Sequence, residues 1–582
     1  MRPLPLLALC ALVACHSAPA EIPESALADV PEPTPPVALR LPAGTRVAAT
    51  VSDGLPVDGP WRAVRTWWRE AIGQTVAFSI APKAYDGLAQ LALTIDVDAK
   101  ALTATLLRDG TETLLASAAY GEGLETPGLL AAIDQLAWAA RRALGEAATR
   151  PLPVGRITSE DPRAVIAVED ADELIRTGGF SGAFAALRTA RRHDGGAPFV
   201  LAPLAALELL RNDPTRARDI SREALGYAAR CSPTVQHRLA RTLLLANAAL
   251  EPRRAGRFDR ELTTLAAVAR RERPHDDEPR YTDALGHNFL ADFATSRPLL
   301  EDLHRRLPER GFVAYHLGWA CLGTDDAVAA AEHLREASLR LPTPWVLLPW
   351  AIALFESRRD DELGQVLDRA RRDYGSGDRD SISHQVLRMQ AAHALLTDQP
   401  ERARELLLDD LRWLVKHPLA LDARVGDFAE AGAVLVRLGS SDQLPNLVAA
   451  VQKLPVEAVT RDAAAFVGGM HQVLTTGVRA EGLEDALARD GDSAWSSLLA
   501  AYAHEREGEV GAMQNALARA ALLSASPLTK ALLARSLRAV GKAVEADRLH
   551  DTLKREMLTM HLRQPCQHPL FGPELAYAYL LR

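Results

Sequence analysis

Few residues in this chain stand close enough in sequence, and in the right chemical types, to suggest a reaction. His504-Glu505 opens like a zinc-protease helix, where a second histidine four residues on would share the metal. Gly508 occupies that position and removes the ligand. His561, Cys566 and His568 offer nitrogen and sulfur donors, but no fourth donor is near and prolines interrupt them. Asp325-Asp326 and Asp360-Asp361 are carboxylate pairs lying between helical stretches. An acid there accepts backbone N–H groups and meets the positive end of the helix dipole, so these pairs read as caps, not as acid–base couples. No phosphate-cradling G-x-x-x-x-G-K loop, no G-x-G-x-x-G after a strand and no G-x-S-x-G elbow occurs. Gly179-Phe180-Ser181-Gly182 is a turn. The reading is therefore of a chain that is not an enzyme, with no catalytic residue, metal or cofactor assigned.

One thiol does have a chemistry written around it. Cys15 follows Ala14 directly, at the end of an apolar run from Leu4 to Val13 that is preceded by Arg2. Such a run is about half of the roughly 20 residues needed to span a bilayer, and reads as the core of a secretory signal. Leu12-Val13-Ala14-Cys15 resembles the lipobox of bacterial lipoproteins. That resemblance implies cleavage before Cys15, diacylation of its thiol, and anchoring by two or more acyl chains at about 0.8 kcal/mol per buried CH₂. His16 stands where lipoproteins kept at the inner membrane commonly carry Asp. The resemblance thus implies an outer-membrane lipoprotein whose body faces the periplasm or the cell surface. Residues 1–14 are the signal peptide and 15–44 the tether. Pro19, Pro23, Pro31, Pro33, Pro35, Pro36 and Pro42, mixed with acids, preclude a packed core or a helix there. At about 3.1 Å per residue the tether reaches up to roughly 80 Å.

The remaining composition favours helices: aromatics make up 5% of the chain while Ala, Leu and Arg are abundant. The net charge of −8 is small for 582 residues, and with no basic stripe, nucleic acid is not expected as a partner. Cys231, Cys321 and Cys566 are too few and too scattered for a disulfide framework. Cys231 and Cys321 lie in Ala-rich helical surroundings and read as small buried hydrophobes.

Residues 45–150 predict a small α/β (α+β) domain. Strands are expected at 46–51, 75–80, 91–97, 101–107 and 113–119, from runs of β-formers and period-two alternation. Arg108-Asp109-Gly110 carries the Asp-Gly signal of a tight hairpin. Helices are expected at 61–72 and from Thr126, with Pro127 in its first turn, to Leu144, where Gly145 stops it. The last hairpin and helix, TLLRDGTETLLASAAY followed by GLLAAIDQLAWAARRALG, resemble the second half of a TolB-like domain.

From about residue 160 to 560 only helical periodicity remains. Leu317-Gly318, Ala330, Leu334, Ala337 and Pro342 follow the spacing of the tetratricopeptide (TPR) pattern, in which small residues let two helices of a hairpin approach. Gly178, Phe180, Ala183, Leu187 and Ala190 repeat it, as do Ala217 and Ala224, Ala370, Ala403 and Leu407, Gly508, Leu517 and Ala520, and Gly541, Ala543 and Ala546. Stretches 250–280 and 420–490 fit poorly. The chain resembles the TPR family over some 400 residues, which implies a mainly α fold, a TPR-like α-solenoid. Residues 561–582 read as its capping segment.

In TPR proteins the first helix of each repeat lines a surface that takes peptides. In the frame of Leu317 and Pro342 that surface would hold Phe312, Tyr315 and Trp319, spaced three and four apart on one helical face. Trp345 and Phe355, then Trp495 and Tyr502, take equivalent positions. Trp and Tyr are frequent interface anchors; packing between repeats is the competing role. The overall expectation is a membrane-anchored scaffold holding a protein or peptide partner in the cell envelope. Its alternatives are an envelope enzyme or regulatory subunit with its site in 45–150, and a TPR signalling regulator.

Overall fold

The computed structural model describes residues 46–563, apart from 52–60, 76–78, 82–88, 97–100, 110, 120–125, 147–151, 177–178, 212, 252–253, 342–343, 375–380, 419–420, 422–424, 440–441, 478–487, 489–490 and 524–526. The signal, Cys15, the tether, Gly178, Pro342, Cys566 and His568 lie outside the described residues, as does all of the capping segment beyond residue 563. Two compact units divide at residues 291–294 and 313–314.

The first unit opens with a five-stranded sheet in the order β2-β1-β3-β4-β5: β1 (Arg46–Val51), β2 (Ser79–Ala81), β3 (Ala89–Asp96), β4 (Ala101–Arg108) and β5 (Thr111–Ala119). β1 runs parallel to β2 and β3, and the other pairs are antiparallel. Arg108 pairs with Thr111 and Asp109 has φ +51°, the left-handed backbone that a two-residue hairpin requires. Helices α1 (Trp61–Gly73) and α2 (Thr126–Ala143) pack with the strands. Leu91, Leu93, Leu102 and Ala104 are buried with Trp67, Trp68, Ile133 and Leu136 in one core, while Thr94 and Leu114 are exposed. One covered face and one wet face explain the alternation visible in the strands. Of the strand expected over 75–80, residues 76–78 lie outside the described residues; Ser79–Ala81 form a strand, and Thr75, outside it, donates its hydroxyl to Glu146 at 2.8 Å. Glu146 also receives two bonds from the buried Arg141, at 2.7 and 2.5 Å.

This module is joined to the first helical repeat. Trp67 Nε1 donates to the Ser159 carbonyl at 3.1 Å, and Thr66 Oγ1 to Glu169 at 3.1 Å. From Pro162 onward, among the described residues, only helices remain, arranged as antiparallel pairs of the TPR-like solenoid. Pairs 162–176 with 180–193, 198–210 with 214–226, and 233–250 with 255–272 lie in the first unit. Pairs 381–396 with 400–416, 494–507 with 510–523, and 527–539 with 543–563 lie in the second. The alanines and leucines of the repeat frame are the residues on which these pairs close: Ala183, Leu187, Ala190, Ala217, Ala224, Leu317, Ala330, Leu334, Ala337, Ala403 and Leu407 are all fully buried. A Cβ on Gly318 would collide with the Leu334 side chain, so this glycine is required by the close approach of its helix to the next.

A recurrent turn marks the end of the first helix in a pair. Ala291, Asp325, Arg358, Asp398, Gly439 and Gly541 each have positive φ, two residues past the helix end. The conformation repeats while the residue type does not. Asp326 then caps the second helix, accepting from Ala329 N at 3.1 Å, as its place between helices led us to expect. Asp360 and Asp361 stand in the first turn of helix 360–374.

Candidate functional site

The aromatic ladder does not form the open surface that its spacing promised. Trp319 is 0% exposed, Tyr315 3%, Phe355 2% and Tyr502 4%. Tyr315 and Trp319 meet edge to face with ring centroids 6.3 Å apart, and Tyr502 lies beneath the Arg437 guanidinium. Phe312 is half-buried, as is Trp495, which tilts against Phe466 at 5.5 Å. Trp345 lies in helix 344–356, but its side chain is outside the described set. The reason is visible in Gly-Phe-Val-Ala-Tyr-His-Leu-Gly-Trp-Ala-Cys-Leu-Gly: helix 311–323 is apolar around its whole circumference, and such a helix is buried on every side. Three-and-four spacing selects one face without saying that this face is wet.

The polar groups gathered on first helices are elsewhere. In the first unit the carboxylate of Glu278, on helix 277–289, accepts from Arg238 at 2.7 and 3.1 Å, Arg241 at 2.8 Å and Arg310 at 3.3 Å. Arg238 and Arg241 project from helix 233–250, which packs on 277–289. Burial works against the charge of Glu278, but the three guanidiniums outweigh it and hold its pKa well below the usual carboxylate range. Glu278, and more distantly Glu70 and Asp172, raise the pKa of Arg238. Tyr281 lies under Arg241, 5.4 Å from ring centroid to guanidinium carbon, and burial pushes its hydroxyl pKa up.

His237 completes the cluster. Its Nε2 is 2.8 Å from Thr282 Oγ1, and that hydroxyl donates to the Glu278 carbonyl at 3.0 Å. The threonine oxygen is therefore the acceptor, and the imidazole carries its proton on Nε2. Burial, reinforced by Arg241, pushes the His237 pKa down to about 3, so it stays neutral at ordinary pH. Three arginines share one buried carboxylate here, and the Arg238 and Arg310 side chains remain 41% and 39% exposed. A guanidinium has five donors in a fixed fork, so these edges still offer N–H groups to an incoming acceptor. No sequence pattern announced the site, because it falls in a stretched repeat: 44 residues separate the helix starts Pro233 and Asp277, against 34 between Asp277 and Gly311.

The second unit contains the opposite stoichiometry. Arg388 on helix 381–396 is 0% exposed and faces Glu430, the Asp427 carbonyl at 2.7 Å, and Asp410 at 3.7 Å. All three acids are buried. Burial disfavours the charge on Arg388, but Asp427, Glu430 and Asp410 together raise its pKa. Cys231 and Cys321 are buried, as their surroundings implied, and form no disulfide among the described residues; burial raises the Cys231 thiol to about 11, which makes it inert. At the end of helix 494–507, Gly508 has φ +77° and closes the helix where a second zinc ligand would stand. His504 Nδ1 lies 2.8 Å from Glu509, and the half-buried His504 with the exposed Glu507 and Glu509 brings three ligand-type atoms within 4.8 Å.

No protein-family model matches the chain, and no curated protein matches it. Among solved structures it is similar to the human IFIT1 dimer with m7Gppp-AAAA, at 12% identity and TM-score 0.34, covering 68% of this chain and 90% of that one. It is also similar to the apo form of the quorum sensor NprR from B. thuringiensis, at 11% identity and TM-score 0.35, covering 61% and 96%. Yeast Tom70 is a third, at 12% identity and TM-score 0.30, covering 69% and 95%. The TPR-like fold rests on the helix pairing and the buried repeat frame described above.

Proposed function

We propose that this chain is a non-enzymatic helical-repeat scaffold, tethered through Cys15 to a bacterial envelope membrane, which holds a protein or peptide partner on the first-helix face of residues 233–310. The observation that carries the binding face is the ring of Arg238, Arg241 and Arg310 around Glu278, in which Arg238, on helix 233–250, and Arg310, just before Gly311, are partly exposed while Arg241 is largely buried. Charged groups fixed by a buried counter-ion enter an interface already ordered, so binding loses less side-chain entropy. The guanidinium edges suit carboxylate or carbonyl acceptors of a peptide. The lipobox and the Pro-rich stretch support the anchor, with the TolB-like resemblance of residues 105–145 describing the module between tether and repeats.

Crosslinking in cells followed by capture of the chain tests the face. The Arg238→Glu/Arg310→Glu variant should lose the partner recovered with wild type while keeping its helical circular dichroism. An unchanged partner set would remove this face from the reading. The anchor is tested separately by labelling with a fatty-acid analogue. Wild type should take up label and fractionate with membrane, and Cys15→Ser should do neither; equal behaviour of both forms would refute the lipoprotein assignment.

A further inference from the structure

A second arginine cluster, independent of the first-helix face, lies between the first two helical repeats. Phe184, Arg188, Arg191 and Arg192 share one side of helix 180–193, at spacings of three, four, seven and eight residues. With Leu204, Glu208 and Arg216 they line a cavity of about 150 Å³. The Phe184 ring fixes two guanidiniums: Arg188 lies 4.8 Å from its centroid and Arg211 4.3 Å. Glu208 is buried and neutralised by Arg216 at 3.0 Å and Arg211 at 3.6 Å. Arg191 is engaged by both oxygens of Glu223, at 2.9 and 3.0 Å.

The balance of these side chains is five guanidiniums against two carboxylates. Arg188 has no carboxylate partner among the described residues, and the Arg192 guanidinium donates only to the Thr189 hydroxyl, at 2.9 Å. The surplus of three positive charges gives the small cavity a positive field, which solvent screens in part because Arg188 and Arg192 are exposed. Cation–π contact with Phe184 pre-orders Arg188 without consuming its N–H edge. An anion in the cavity would be drawn by that field and accept from at least two forks. A carboxylate carries one charge and two oxygens. A phosphate monoester carries nearly two charges at neutral pH and three terminal oxygens, and arginine forks match that geometry bidentately.

We infer that this cavity binds a small phosphate monoester or free phosphate, with Arg188 and Arg192 as its principal donors and Arg216 at its edge. The volume admits one compact group and not a chain. No covalent step is involved.

Calorimetric titration of the full chain with inorganic phosphate tests this, with glycerol phosphate, sulfate, acetate and chloride as parallel arms at matched ionic strength. Phosphate and glycerol phosphate should bind saturably. The affinity for glycerol phosphate should fall several-fold from pH 7.5 to 5.5, as the dianion is lost through a second pKa of about 6, while that for sulfate, a dianion at both, should not. Arg188→Ala/Arg192→Ala should weaken phosphate at least tenfold with unchanged circular dichroism, and Arg218→Ala on the neighbouring helix should leave it unaltered. The inference is overturned if acetate or chloride evokes the same heat, if the double variant binds as wild type, or if Arg218→Ala weakens binding equally. A glycerol phosphate response without a phosphate response would support the monoester as the ligand and overturn free phosphate.

Discussion

The Glu278 and Arg388 clusters solve one problem in opposite ways. Each ties first helices of neighbouring pairs together with charge: Arg238 and Arg241 to Glu278 in the first unit, Arg388 to Asp427 and Glu430 in the second. Around Glu278 the single charge is buried and the excess charges reach solvent. Around Arg388 the single charge and all three of its counter-charges are buried. Water can solvate what Glu278 leaves over, whereas the acids around Arg388 are compensated inside the protein. The first arrangement is open to a partner. The second acts on the packing of the repeats themselves, since removing one member of a buried set leaves uncompensated charge.

The largest effect should come from breaking the closed cluster. Arg388→Met is expected to destabilise the second unit by about 3–5 kcal/mol, the range for stripping one partner from a buried pair. Urea unfolding would measure it, and a cost below about 1 kcal/mol would mean that the acids are protonated or hydrated. As an apolar reference, Trp319→Ala should cost about 3–5 kcal/mol, because its ring is core. Loss of partner binding at unchanged melting temperature would instead return Trp319 to the interface that its spacing suggested.

A smaller effect separates the clusters by pH. His237 is held neutral, with a folded pKa of about 3 against about 6.5 in the unfolded chain. Below pH 6.5 the unfolded state binds the extra proton, so stability falls as pH is lowered. By pH 4.5 this should remove about 2 kcal/mol from the first unit. Glu278, whose pKa is depressed, adds its own loss only below about pH 4. His237→Gln should flatten the decline between pH 6.5 and 4.5 in hydrogen-exchange protection of residues 233–289. An unchanged slope would place the acid sensitivity elsewhere.

The smallest effect should follow from opening the ring. Glu278→Gln keeps the shape and leaves three arginines facing one another. Because Arg238 and Arg310 are more than one-third exposed, solvent screens most of that repulsion, and the cost should be about 1–2 kcal/mol. A loss matching that of Arg388→Met would show that exposure does not distinguish the two clusters.

The repeat frame was legible because it depends on small and apolar residues at fixed spacing. Ala330, Leu334 and Ala337 must be buried wherever two helices cross closely, and all three are. The clusters were not legible for the same reason. Both involve stretches that fit the frame poorly, 250–280 and 420–490, where Glu278, Asp427 and Glu430 stand on buried helix surfaces. The left-handed turn at Ala291, Asp325, Arg358 and Asp398 repeats in backbone alone, so no constant residue reports it.

The sequence by itself determined the helical hairpins, the sheet's hairpin at Asp109 and the order of module and repeats, because propensity, periodicity and turn chemistry are local. It also carries Leu12-Val13-Ala14-Cys15, the lipobox-like run from which the anchor is proposed. Only the tertiary structure decided which polar side chains meet and which rings are wet. Arg388 and Glu430 are 42 residues apart in the chain, and periodicity within one helix does not encode what the neighbouring helix places against it. The same holds for Trp319: its helix position follows from sequence, but its burial follows from neighbours on every side.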